Sequence, residues 1–173
     1  MYLHVGDLPD SVTFAGDIAV DTEAMGLNNH RDRLCLGQLS DGNGDEHLVQ
    51  FLPGHYHAPN LCKLLADPSR VKLFHFARFD VAILKHYLGV VTAPVYCTKI
   101  ASRLTRTFTE RHGFKDICKD LLGVDVSKQQ QSSDWGQPEL SPEQQEYAAS
   151  DVRHLHRLRE KLNVMLAREG RAQ

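Results

Sequence analysis

Long apolar runs are missing from this chain: nowhere in its 173 residues do roughly eighteen apolar side chains follow one another, which excludes a hydrophobic membrane-spanning helix. Cysteine is sparse and scattered, at 35, 62, 97 and 118 with no CxxC, so neither a zinc ribbon nor a thioredoxin-like redox motif is written here. The thiols read as reduced core side chains and the compartment as the cytoplasm. The opening MYLHVGDLPDSVTFA places Asp7, Pro9 and Asp10 where a signal peptide needs an unbroken apolar stretch. A basic excess is also lacking, since 20 Lys and Arg face 22 Asp and Glu for a formal net charge of -2. Any attraction to nucleic acid therefore has to be local. With no repeat and no linker, residues 1–173 read as one domain. A chain of this length buries roughly 70% of its unfolded surface, so it needs neither disulfides nor a structural metal, and any metal is functional.

What is present begins with four short apolar runs bounded by Gly, Asp and Asn: IAV at 18–20, LCLGQL at 34–39, HLVQF at 47–51 and KLFHF at 72–76. They read as strands, with DGNGD at 41–45 closing a hairpin between the second and third. Helical spacing follows around Leu61, Leu64 and Leu65, then from Val81 to Leu88 with Gly89 as stop, and from Ile117 to Leu122 with Gly123 as stop. Ser141, Pro142 and Gln144 supply an N-cap, a first-turn proline and a capping-box partner, predicting one helix from Pro142 towards Arg168. The polar stretch 126–140 reads as a functional loop, and the tail EGRAQ as too polar to dock. The fold class is α/β, a mixed central sheet flanked by helices.

Several carboxylates stand where apolar side chains are expected. Asp21 and Glu23 are two apart at the end of the IAV run and leave one face of a strand, or have passed its end and face water. Asp80 lies one turn from Ile83 and Leu84, on an apolar helix face, either as a first-turn dipole partner or as part of a site. Asp151 sits one turn before Leu155 on the core stripe of the last helix, with Tyr147 one turn earlier. Carboxylates converging on one pocket repel and call for divalent cations, and oxygen-only ligation points to Mg2+ or Mn2+. A pair of such ions is the device of phosphodiester hydrolysis. HYH at 55–57 and HLH at 154–156 have neither the spacing nor the companions of a zinc site.

VDTEAMGL at 20–27, FHFARFDVAIL at 74–84 and YAASDVRHLHRL at 147–158 resemble, in order, the three motifs of the DEDD exonucleases on the ribonuclease-H-like (DnaQ-like) exonuclease fold. Glu146 stands where one branch of that superfamily has His, while Tyr147, four before Asp151, resembles the DEDDy branch. RLCLGQLS, TKIASRL, HGFKDICKDLLG and SSDWGQPELSPEQQEYAASDV are similar to ribonuclease D, and HRDRLC, TKIASRLTRT and SKQQQSSDW to its stand-alone bacterial branch, nanoRNase C. The chain has no room for the C-terminal helical domains of ribonuclease D.

The resemblance implies a two-metal-ion 3′-5′ exoribonuclease hydrolysing short RNA oligonucleotides, down to dinucleotides, to 5′-mononucleotides. It also implies a homo-oligomer, such as a ring octamer. Asp21 would bridge two Mg2+ or Mn2+ ions, Glu23 and Asp151 complete one shell, Asp80 support the other, and Tyr147 orient the attacking water. Substrate contacts by the same resemblance are Thr22, Leu27 as a wedge between bases, and Lys128, Gln131 and Ser133 on the terminal phosphate or sugar. Phe76 and Trp135 could stack bases, although core packing explains Leu27 and Phe76 equally well, and His75 could touch substrate, although a satisfied core histidine is the commoner case. Residues 97–119 hold six basic residues against Glu110 and Asp116, and Lys99, Arg103 and Arg106 share a helix face, forming a phosphate track or a solvated surface. Two other readings stay open, 3′ trimming of structured RNA such as tRNA precursors and a non-catalytic metal-dependent nucleic-acid-binding domain.

Overall fold

The computed structural model describes residues 1–171, and within them a six-stranded sheet forms the middle layer. In chain order the strands are β1 (Tyr2–Val5), β2 (Ile18–Ala24), β3 (Leu34–Ser40), β4 (Glu46–Gln50), β5 (Lys72–Phe74) and β6 (Val95–Cys97). The helices are α1 (Pro59–Leu65), α2 (Ala77–Leu88), α3 (Thr98–Thr105), α4 (Phe114–Leu122), α5 (Pro142–Arg153) and α6 (Leu155–Arg168). None is long and apolar enough to cross a membrane.

The spatial order is β1-β4-β3-β2-β5-β6. β2, β3 and β4 pair antiparallel, with β3 and β4 forming the hairpin expected around DGNGD, while β1, β5 and β6 join in parallel, so the sheet is mixed. Alternation on β2 sends Ile18 and Val20 to one face, into a core shared with Leu61, Leu65, Ile83 and Leu84 of α1 and α2. Ala19 faces the opposite side, with Ile117 of α4 and Leu155, Leu158 and Leu162 of α6. Beside that second core, Leu36 and Leu48 lie under Ala148 and Ala149 of α5. The small alanines let α5 approach the sheet closely.

Local chemistry sets the helix ends. Gly89 and Gly123 close α2 and α4 in the left-handed conformation, where a side chain would be strained. Ser141 and Gln144 form the expected capping box at the start of α5. Fully buried Lys72 is held by the carbonyls of Asp67, Arg70 and Ala93 at 2.6–2.7 Å, tying β5 to its flanking loops.

Four expectations change. The strands β1 and β6 were not anticipated, and KLFHF is a strand only through Phe74. The single helix over 142–168 is broken at His154, because α5 packs on β2, β3 and β4 whereas α6 packs on α3 and α4. Anchors fix the second segment: His156 Nε2 donates to the Asp17 carbonyl at 2.8 Å, and Arg159 pairs with the Asp17 carboxylate at 2.6 Å. The tail is capped onto α6 as far as Arg171, whose N–H donates to the Leu166 carbonyl at 2.8 Å and whose guanidinium donates to the Leu104 carbonyl of α3, while the rest of EGRAQ lies outside the described residues.

Candidate active site

Strand alternation places Asp21 and Glu23 on the face of β2 that looks towards α5, and α5 brings Asp151 down over them. One ligand oxygen from each of these three carboxylates lies within 4.8 Å of the others. A register shift between Glu23 and Ala24 interrupts the β2–β3 ladder directly after Glu23. Such a bulge bends the strand and re-aims the side chain beside it. Asp80 enters from the first turn of α2, buried, and its Oδ1 accepts a 2.6 Å hydrogen bond from Thr22 Oγ1. Tyr147, one turn before Asp151, lines the same cleft.

The four carboxyls are crowded and removed from water. Burial pushes Asp21 up to about 6, against hydrogen bonds from Thr22 N–H and from neighbouring carboxyls that oppose the rise. Burial and then the repulsion of neighbouring acids hold Glu23, Asp80 and Asp151 well above the ordinary carboxylate range. Burial, with Asp151 and Glu23 nearby, raises the Tyr147 phenol, so it stays protonated at neutral pH. None of the seven ion pairs among the described residues involves any of these acids. An all-oxygen donor set without a protein counter-charge fits hard divalent cations.

The cleft measures about 330 Å³, and three cationic side chains line it with the acids: Lys99 from the first turn of α3, Lys115 from α4 and Lys128 from the loop, with Gln131 beside them in the lining. The same cleft thus carries groups for cations and groups for anions. His75 and Phe76 line it too. His75 Nδ1 is 2.9 Å from Thr98 Oγ1 and its ring leans on Phe114. Burial, and next the Lys99 ammonium, depress the His75 imidazole to about 4, so it is neutral. Phe76 is the only non-glycine described residue with positive φ, at +65°, yet is 47% exposed with Lys99 Nζ 4.3 Å from its ring centroid. Strain retained on an exposed aromatic is a mark of a working surface.

Leu27 is 87% exposed, which removes the reading of it as a core residue. It rides on a braced loop. The Asp32 carboxylate accepts the Asn28 N–H at 3.0 Å and pairs with Arg31, and a Cβ on Gly26 would stand 2.4 Å from Asp32 Oδ2, so only glycine fits there.

Other expected substrate contacts are corrected. Trp135 is 2% exposed and packs in the core under α5, 5.9 Å from the Tyr147 ring, so it backs Tyr147 instead of meeting bases. Arg106 is 2% exposed; its guanidinium donates to Ser102 Oγ, the Arg111 carbonyl and Asp120, bracing the chain between α3 and α4. Ser133 turns inward, donating to the Gln130 carbonyl and accepting from Gln144 Nε2. Arg103 is exposed on α3 but does not line the cleft. Thr22 does line the cleft, with its hydroxyl held by Asp80. Conversely, Phe114 and Ser127 line the cleft unforeseen, and Lys99 and Lys115 had appeared only within the general basic run.

Comparison with known proteins agrees with this geometry. A family model described as 3′-5′ exonuclease matches residues 7–167. Ribonuclease D of Gluconacetobacter diazotrophicus is 36% identical over 155 residues, covering 89% of this chain and 39% of the relative. The chain thus spans about two-fifths of the length of the curated relatives it matches. Among solved structures, NrnC of Brucella melitensis bound to pGG is 54% identical with a TM-score of 0.94, over 98% of this chain and 83% of that one. The same nuclease with bound Mg2+ gives 53% and 0.93 over the same shares. Ribonuclease D of Escherichia coli, an exoribonuclease involved in structured RNA processing, gives 29% and 0.75 over 89% of this chain and 40% of that one.

Proposed function

The chain belongs to the 3′-5′ exonuclease family, among relatives of ribonuclease D and NrnC type, and from that premise we propose that it is a two-metal-ion 3′-5′ exoribonuclease acting on short RNA, down to dinucleotides. The observation that carries this reading is a cleft of about 330 Å³ lined by Asp21, Glu23 and Asp151 together with Lys99, Lys115 and Lys128, with Asp80 buried behind it on Thr22. A cleft of that volume admits the end of a single strand and no folded RNA.

Asp21, Glu23 and Asp151 would hold one divalent cation and Asp80 would help to hold a second, Mg2+ being the ion found with the Brucella nuclease. When bound, such ions acidify water and neutralise charge on the leaving oxygen. Tyr147, kept protonated and backed by Trp135, positions the attacking water through its phenol oxygen. Water oxygen bonds to the 3′-terminal phosphorus, the bond from phosphorus to the upstream 3′ oxygen breaks, and a proton ends on that oxygen, releasing a 5′-mononucleotide. Phe76 stacks on a base, exposed Leu27 wedges beside it, and Lys99, Lys115 and Lys128 meet phosphate. One exonuclease domain over 1–173 would act in the cytoplasm as a homo-oligomer; the free thiols fit a reducing compartment, and exposed Ile100, Leu104 and Phe108 leave apolar surface for self-association.

Parallel digestion of a 5′-labelled dinucleotide and a tRNA precursor in Mg2+ tests the reading. Faster turnover of the dinucleotide is expected. Preference for the precursor would favour the structured-RNA processing of the Escherichia coli relative, and binding without cleavage of either would make the domain a non-catalytic binder.

A further inference from the structure

Gln38 is a polar residue in the middle of β3, fully buried on the sheet face that carries Leu36 and lies beneath α5. Its Cα pairs with that of Asp21 across the β2–β3 ladder, so it is the diagonal neighbour of Glu23. The amide Nε2 donates to Glu23 Oε1 at 3.4 Å. Its carbonyl Oε1 is buried with no hydrogen-bond partner among the described residues. Leaving such an oxygen unsatisfied is destabilising, and an apolar side chain of the same length would avoid that cost. With a cation bound, Glu23 would be an ionised carboxylate that accepts only, so the donor end of the amide is the one that can serve it.

We infer that Gln38 is a positioning residue for metal binding: its amide N–H engages one oxygen of Glu23 and leaves the other free to face Asp21 and Asp151. The absence of any Lys or Arg partner for Glu23 makes this neutral donor the anchor among the described residues. A cation there would compete with the metal for the carboxylate, while an amide orients it without neutralising its charge. Thr22 does the corresponding work on Asp80, so two neutral donors from adjacent strands fix two of the acids. Partners behind a metal ligand commonly change affinity 10- to 100-fold when removed.

The inference rests on Glu23 being a ligand, so Glu23→Gln is measured alongside. Calorimetric titration of the metal-free protein with Mn2+, without RNA, is compared for the parent, Gln38→Met, which keeps length and loses the donor, and Gln38→Asn, which withdraws the amide by one methylene. Both Gln38 variants are expected to bind Mn2+ about tenfold more weakly, with the metal-free Gln38→Met protein melting no lower than the parent. Parent-like Mn2+ affinity in either folded variant would overturn the inference, as would a lower melting temperature with unchanged affinity, which describes a purely structural residue. If Glu23→Gln itself leaves Mn2+ binding intact, the metal site fails; if it loses binding while Gln38→Met does not, only the positioning role fails.

Discussion

Phe76 offers a prediction in which stability and affinity separate. It stands at φ +65° and ψ +55° immediately before α2, with its ring half exposed over the cleft beside Lys99. A residue bearing a Cβ is about 1–2 kcal/mol less stable there than in ordinary backbone, and glycine is free of that cost. Phe76→Ala and Phe76→Gly lose the same ring, so the difference between them isolates the backbone, with the weak capping by Ala acting in the same direction. At roughly 2–4 °C per kcal/mol for a chain of this size, the Gly variant should melt about 2–8 °C above the Ala variant. Both should lose the base-stacking surface, worth about 1–3 kcal/mol, and raise KM for a 5′-phosphorylated dinucleotide roughly 5- to 150-fold with kcat little changed. Melting curves and steady-state hydrolysis read the two effects separately. Equal melting temperatures would refute the strain, and an unchanged KM in both variants would refute the stacking surface.

Removing a carboxyl should stabilise the metal-free fold at neutral pH. Folded Asp21 keeps its proton up to about pH 6 against an ordinary value of 3.8, so the native state binds more protons in that window and stability falls as pH rises through it. Chelated Asp21→Asn should therefore melt above the chelated parent at pH 7, with the gap closing by about pH 4 as the carboxyl becomes protonated in both states. His75, depressed to about 4, gives the opposite slope, gaining stability as pH rises from about 4 to 6.5, but it is present in both proteins and cancels in the difference. A gap that does not vary with pH would contradict the crowding of the four acids. Arg106→Ala should cost about 2–4 kcal/mol in denaturant unfolding, since it leaves the Arg111 carbonyl, Ser102 Oγ and Asp120 without their donor, whereas Arg103→Ala should stay within about 0.5 kcal/mol. Equal effects of the two would contradict the structural assignment of Arg106.

The site's framework was legible because strand and helix periods place charges predictably. Asp21 and Glu23 at spacing two, and Tyr147 and Asp151 at spacing four, needed only local geometry to share a face. The hairpin and the capping box were legible for the same reason, being written in adjacent residues. What was hidden depends on tertiary partners. No glycine or proline marks the break at His154; it follows from the different surfaces that α5 and α6 cover. Arg106 and Trp135 look like ligand contacts until the fold buries them, and Gln38 is a single polar letter in an apolar run whose meaning comes from the strand beside it. The strands β1 and β6, with four and three residues, are too short to show a period.

If acids from β2, α2 and α5 together hold a pair of divalent cations, counting Mn2+ bound to the metal-free protein by electron paramagnetic resonance reads that number. Two ions per chain are expected in the parent, with Asp21→Asn and Asp151→Asn each losing at least one while remaining folded. Full occupancy in both folded variants, or no Mn2+ bound by the parent at millimolar concentration, would contradict it.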